Sequence, residues 1–282
     1  MSVPTLLFCV GATKAGTSWL YRYLEDHPAC FTPVIKELHY FDAVEAGKAN
    51  GPRKRVLERR RSLVAAQAST ETIASLDRWL DVMDAPSDQA YLDYMTTSAG
   101  AKPVMVDVTP AYSLLPVERL KSMARLLPDV RFIYLLRDPV ERLWSHIRMI
   151  AKRHIGMDGD MRKLADRRFN RFLRGQEQDI EARGDYRSII DRLDAAIDPS
   201  RLCLAFYETL FSQPQIDRLC AFIGIEAVDG KFGRRVHEGV SLEMSEDQKI
   251  RARAFLAPQY DYVAARLGPL PEAWQANMMG AR

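Results

Sequence analysis

TLLFCVGATKAGTSWL, residues 5–20, decides the fold. An apolar run from Thr5 to Val10 reads as a core strand, meets the glycine frame Gly11-x4-Gly16, and gives way to a helical pattern near Thr17. A strand, a glycine loop and a helix in that order make an anion cradle. The first N–H groups of the helix are unpaired and its dipole is positive at that end, so both face the loop. Gly11 and Gly16 let the backbone approach an anion closely and take positive φ, and Thr17 and Ser18 add hydroxyl donors. The lysine is Lys14, inside the frame; a triphosphate loop carries its lysine directly after the second glycine, where it reaches the β and γ phosphates. Lys14 is therefore expected beside a shorter anionic chain, near the oxygen that bridges its two groups.

Further apolar runs occur at Val104–Val106, Val130–Leu136 and Leu202–Phe206, each followed by polar residues and then a helical pattern. That alternation predicts a three-layer α/β/α architecture with a central parallel sheet, P-loop-like in its first unit. Ligands of such sheets bind at the carboxyl ends of the strands. From about residue 43 to 100 the chain turns helical and charged, with GPRKRVLERRR at 51–61, which reads as an insertion that packs on the sheet or covers the site. Its arginines either engage an acidic acceptor or form a solvated helix face. Amphipathic helices are expected near 213–223 and 245–266. With no repeat, low-complexity stretch or long linker, residues 1–282 read as one domain.

The bulk numbers exclude some classes. Hydrophobic content of 47% with 27% charged residues is that of a globular chain, and 40 basic against 37 acidic side chains leave too little charge to point to nucleic acid. TLLFCV is too short to span a membrane and lacks the charged lead and cleavage site of a signal peptide, so a cytoplasmic protein is expected. Cys9, Cys30, Cys203 and Cys220 form no C-x-x-C or Cys/His cluster, so buried reduced thiols and no metal site are expected.

A second anion site is written in VRFIYLL followed by RDPVERLWSHIRM. Arg137 emerges at the carboxyl end of the strand, Pro139 suits the first turn of a helix, and Ser145 lies two turns along. The guanidinium fork of Arg137 fits a phosphate and Ser145 offers a hydroxyl. Two anion sites on one sheet imply a ligand with two separated anionic groups.

GATKAGTSWL together with LLRDPVERLWSHIRM resembles the sulfotransferases that use 3'-phosphoadenosine 5'-phosphosulfate (PAPS). KELHYFD at 36–42, VDVTPAYS at 106–113, GDYRSIIDRL and LCLAFYETL are similar to stretches of the heparan sulfate 3-O and N type. The likeness covers most of the chain and is weak over 43–100. It implies metal-free transfer of a sulfuryl group to a hydroxyl or amine of a carbohydrate, lipid or small metabolite, with adenosine 3',5'-bisphosphate (PAP) as product. It implies that Lys14, Ala15, Gly16, Thr17 and Ser18 hold the 5'-phosphosulfate, that Arg137 and Ser145 hold the 3'-phosphate, and that Trp19 stacks on adenine. Glu37 would be the general base, with His39 its rival because imidazole titrates near neutrality and cytosolic members use a histidine. Lys36, Glu37, His39 and Thr109 would face the acceptor. Were KELHYFD extended, Glu37, His39 and Phe41 would share one face and Lys36 and Asp42 the other, which suits Lys36 poorly unless the segment is a loop. The 3-O type has a lysine before its Thr-Pro pair where this chain has Val108, which puts a highly sulfated polysaccharide acceptor in doubt. In KFGRRVHEG at 231–239, Arg234 or Arg235 would close over the 3'-phosphate, although the spacing departs from the usual Gly-Arg pattern.

Two other readings stand beside this one. VMVD at 104–107 is an apolar run ending in aspartate, as in the magnesium-holding strand of nucleotide kinases, which would make residues 11–18 a degenerate triphosphate loop. A catalytically inactive nucleotide-binding protein would keep both loops and lack the reaction.

Overall fold

A computed structural model describes residues 4–48, 50–156, 159–233 and 242–279. β1 (Thr5–Gly11) leads through the glycine loop into α1 (Thr17–Asp26); a two-residue strand, β2 (Cys30–Phe31), precedes four helices, α2 (Tyr40–Ala46), α3 (Asn50–Ala65), α4 (Thr70–Asp84) and α5 (Asp88–Ala99). After β3 (Val104–Val108) come a 3-10 turn and α6 (Val117–Met123). β4 (Val130–Leu136) is followed by α7 (Pro139–His154), α8 (Met161–Phe172), α9 (Gln178–Ala182) and α10 (Tyr186–Ala196). Beyond β5 (Leu202–Phe206) lie α11 (Tyr207–Leu210), α12 (Gln213–Ile223), α13 (Glu246–Leu267) and α14 (Glu272–Met279).

The five strands form one parallel sheet in the order β2-β3-β1-β4-β5, flanked by helices. Every residue of β1 and β3 is buried, as continuous apolar runs covered on both faces should be, while β5 at the sheet edge is mostly half-buried. The four apolar runs all become strands. β2 and α14 were not legible, the strand because two residues carry no periodicity.

From β1 the chain crosses toward β2, and from β4 it crosses the other way to β5. A crevice therefore opens between the carboxyl ends of β1 and β4, where the glycine loop and the Arg137 loop both start. The helical region is bound to the sheet by aromatic packing: Phe8 of β1 meets Phe41 at 5.7 Å between ring centroids, Tyr40 meets Tyr91 at 5.1 Å, and Trp79 meets Tyr94 at 4.8 Å. These rings are buried within the same core cluster as the strands. The start of α2, just after KELH, thus rests on the sheet.

Arg142 of α7 is only 1% exposed and donates from Nη2 to the Ile180 carbonyl at 3.3 Å. Its guanidinium fills the space a side chain at Gly184 would need, since a Cβ there would lie 1.9 Å from Nη2. Gly184→Ala should therefore cost about 1–3 kcal/mol by overpacking, read as a lowered melting temperature. An unchanged melt would mean that Arg142 can leave its pocket freely.

Candidate functional site

Gly11 and Gly16 are required by the space and the backbone together. A Cβ at Gly11, φ 150°, would sit 2.6 Å from the Tyr134 ring, and one at Gly16, φ 89°, would sit 2.8 Å from the Tyr207 ring. Between them Lys14 also takes a left-handed φ, 72°. Gly16 is the N-cap of α1 and no side chain caps that helix. α7 differs: its N-cap Asp138 accepts from the N–H groups of both Val140 and Glu141 at 3.0 Å. One helix brings its own anion, whereas the other leaves its first-turn donors to the loop.

The Arg137 loop is locked from behind. The Tyr186 hydroxyl donates to the Arg137 carbonyl, the Asp138 N–H donates to Glu208 at 2.9 Å, and the Tyr260 hydroxyl donates to Asp138 at 2.9 Å. Arg137 then bridges the two loops, donating from Nη1 to the Lys14 carbonyl at 3.3 Å, with its guanidinium 4.6 Å from the centroid of the Tyr207 ring that packs against Gly16. Ser145 is half-buried on α7. Arg183 joins from the turn after α9, donating to the Thr13 hydroxyl at 3.4 Å.

This crevice is strongly cationic. Burial lowers the Lys14 ammonium pKa, and the charges that lower it further are all cations: Arg137, Arg148, Arg153 and Lys36. His146 is pushed down to about 3 by burial and then by Arg142, Arg183, Lys14 and Arg153, so its imidazole is neutral. Cations gathered on a half-buried surface repel one another, and a bound polyanion relieves that repulsion. Arg148, Arg153 and Arg183 escaped the sequence reading. Arg148 was within reach, because it lies one turn beyond Ser145 on the same helix.

KELHYFD is not a strand. Glu37 and His39 both adopt left-handed φ, 62° and 53°, in a loop that ends where α2 begins at Tyr40. The turn resolves the awkward place of Lys36, whose Nζ lies 2.6 Å from Glu37 Oε1. His39 bridges two carboxylates, with Nε2 at 3.5 Å from Glu37 and Nδ1 at 2.7 Å from Asp42. Burial alone would raise the Glu37 pKa, but His39 and the Lys36 ammonium outweigh it and hold the carboxyl at about 2. Burial likewise opposes charging His39, yet its bonds to Asp42 and Glu37 carry it up to about 9.

At neutral pH the pair is therefore carboxylate and imidazolium. His39, raised from 6.5, contributes stability that is full below 6.5 and lost as pH climbs through about 9. Glu37, lowered from 4.5, contributes stability that is full above 4.5 and lost as pH falls toward about 2. Melting temperature should accordingly decline on the alkaline side, and His39→Gln should flatten that decline relative to the parent. Parallel alkaline limbs in the two proteins would show that His39 is not clamped.

Other expected site residues fall differently. Thr109 is fully buried and donates its hydroxyl to Asp107 at 2.6 Å, so it builds the wall behind the site and offers no surface to an acceptor. The same carboxylate accepts from Tyr91 at 3.2 Å and Tyr112 at 3.0 Å, and burial, against those three donors, raises it to about 6. A carboxylate turned inward onto three hydroxyls is not placed to hold magnesium at a phosphate, which removes the structural basis of the kinase reading. Trp19 is 7% exposed and stacks nearly parallel with Tyr23 and Phe232, at 5.9 and 5.8 Å between centroids. Ala15, within the loop, is buried, and Thr17 and Ser18 open α1. Arg234 and Arg235 lie outside the described residues.

Sheet order, glycine loop and the cations gathered around it together define an α/β protein with a cationic crevice at the β1–β4 edge. Residues 4–229 match the model of the Sulfotransferase family, and the chain belongs to that family. Over 141 residues, 49% of its length, it is 28% identical to nodulation protein NoeE of Sinorhizobium fredii, spanning 30% of that relative. Among solved structures it is similar to a sulfotransferase from Alicyclobacillus acidocaldarius, with TM-score 0.62 and 21% identity over 98% of this chain and 100% of that one. It is also similar to the sulfotransferase domain of the curacin biosynthetic pathway, with TM-score 0.52 and 19% identity over 99% and 98%. The sulfotransferase domain of the Synechococcus PCC 7002 olefin synthase gives 0.51 and 18% over 100% and 94%. Those likenesses are of fold.

Proposed function

We propose that the chain is a cytoplasmic, PAPS-dependent sulfotransferase that acts on a hydroxyl or amine of a carbohydrate, lipid or small-molecule acceptor. The observation that carries this reading is the meeting of Lys14 and Arg137 across the crevice, with Arg137, Arg148, Arg153 and Lys36 all acting on the Lys14 ammonium. In this reading the α1 end, with Lys14 and Gly16 to Ser18, takes the 5'-phosphosulfate, and Arg137 with Ser145 takes the 3'-phosphate. Adenine lies against the Trp19 and Phe232 rings, which part to admit it.

In the reaction an acceptor oxygen or nitrogen bonds to sulfur in line with the breaking bond to the bridging oxygen, and PAP departs. As in phosphoryl transfer, positioning and charge stabilisation do most of the work. Lys14 balances the charge that grows on the bridging oxygen. Glu37 accepts the acceptor's proton, because it is the ionised member of its pair while His39 already carries a proton. Lys36 pairs with Glu37 and its charge is also felt at Lys14, so in this reading bound donor draws its ammonium off Oε1 and leaves that oxygen to the acceptor. The likeness of KELHYFD to the heparan sulfate type supports the role of Glu37, and Val108 argues against a highly sulfated acceptor.

Incubation with donor labelled in its sulfuryl group and a panel of sugars, lipids and phenols tests the reading. A labelled product heavier by one sulfo group is expected. No label transfer from PAPS to any member of the panel, with phosphoryl transfer from ATP labelled in its γ-phosphate instead, would refute it.

A further inference from the structure

The loop that bears Glu37 is held at two points, one of them from the helical region between β2 and β3. Two left-handed residues without glycine within three positions, Glu37 and His39, are strained and persist only where the surroundings over-determine them. After His39, the Tyr40 N–H donates to the Tyr112 hydroxyl at 3.0 Å, and Tyr112 in turn donates to buried Asp107. Before it, the Arg55 guanidinium donates from Nη2 to the Glu37 carbonyl. α3, which carries Arg55, is itself pinned to α4: Arg53 grips Asp84 through Nε at 2.6 Å and Nη2 at 3.0 Å, and Arg60 grips Asp77 from both nitrogens. Val56, next to Arg55, is 1% exposed in the core. The arginine run read from sequence as either an acceptor site or a solvated face is thus partly a structural lattice, with one member reaching into the site.

We propose that Arg55 is a positioning residue for sulfuryl transfer: its bond to the Glu37 carbonyl fixes the left-handed turn that aims the carboxylate, making α3 part of the reaction's framework. This rests on the sulfotransferase reading above. Arg55 acts through the backbone, so Glu37 keeps its side chain for the acceptor. Tyr112 fixes the other end of the turn. Releasing one end leaves Glu37 present and misdirected.

Arg55→Ala and Arg55→Lys test it on the full chain with water as acceptor, following PAPS hydrolysis to PAP and inorganic sulfate. In that probe a water oxygen bonds to sulfur, the bond from sulfur to the bridging oxygen breaks, the water proton goes to Glu37, and the electron pair leaves with PAP. Arg55→Ala should lower kcat by about 10²-fold, the cost of misplacing a reacting group by about 1 Å, with the KM for PAPS within about threefold of the parent. Arg55→Lys, which can still donate to the carbonyl, should recover most of the rate. Hydrogen exchange of the free protein should be faster at residues 36–40 in Arg55→Ala and near parental in Arg55→Lys. Parental kcat and exchange in Arg55→Ala would overturn the proposal, as would a loss confined to KM, which would make Arg55 a donor ligand. A parent protein that binds no PAP would sink the sulfotransferase reading instead, and the exchange comparison would then decide alone whether Arg55 anchors the turn.

Discussion

Glu37→Gln is expected to lower kcat by about 10²- to 10⁴-fold, the contribution of a positioned base, while PAP affinity holds or tightens. The substitution keeps length and shape at a position whose φ is 62°, so the backbone demand is unchanged. What it removes is the negative charge now paired with Lys36 at 2.6 Å and with His39 at 3.5 Å. Lys36, released, adds to the cations facing the donor, which is why nucleotide binding should not suffer. An inactive nucleotide-binding protein would show no turnover in the parent to begin with, so a parental rate that Glu37→Gln lowers excludes it. Rates with the acceptor found by the labelled-donor screen and calorimetry with PAP supply the two readouts. Normal turnover would show that Glu37 is not the base.

Replacing Lys14 should be equally damaging for a different reason. Its ammonium supplies charge where the departing group becomes more negative, and removing one such preorganised donor costs about 10²- to 10³-fold in kcat. Lys14 holds a left-handed φ of 72°, a strain that Lys14→Ala retains and Lys14→Gly relieves. Lys14→Gly should therefore melt no lower than Lys14→Ala yet be as slow. Nor should Lys14→Arg restore the rate, because a planar fork does not substitute for a compact point charge in so close a loop. Recovery of parental kcat in Lys14→Gly would remove the lysine from the account.

The parts of this molecule legible in sequence are those whose signal is local. β1, β3 and β4 announced themselves as apolar runs because they are buried on both faces, β5 did so although half-buried at the edge, and the glycine frame and the RDP segment sit directly after two of these strands. Lys14 and Arg137 could each be placed at the carboxyl end of a strand, whereas their meeting follows from the pairing of β1 with β4, which no local signal carries. KELHYFD was harder. A left-handed turn at glutamate and histidine has no residue signature, so extended strand and loop both stayed open. Arg183 and Arg55 were invisible for another reason: their contacts reach across 170 and 18 positions, to a threonine hydroxyl and to a carbonyl that any residue would present. Thr109 misled because a polar residue at a strand end reads as a ligand group, whereas here it satisfies the buried Asp107 carboxylate.

The central claim is that one crevice between β1 and β4 grips both ends of a doubly charged adenosine carrier, and calorimetric titration with PAP beside adenosine 5'-monophosphate tests it most directly. PAP should bind well and the monophosphate, lacking the 3' group, more weakly. Arg137→Ala should erase most of the difference between them, and added salt should weaken PAP the more, since it carries the extra charge. No heat with PAP while ATP and magnesium bind tightly, or a PAP preference untouched by Arg137→Ala, would contradict the account.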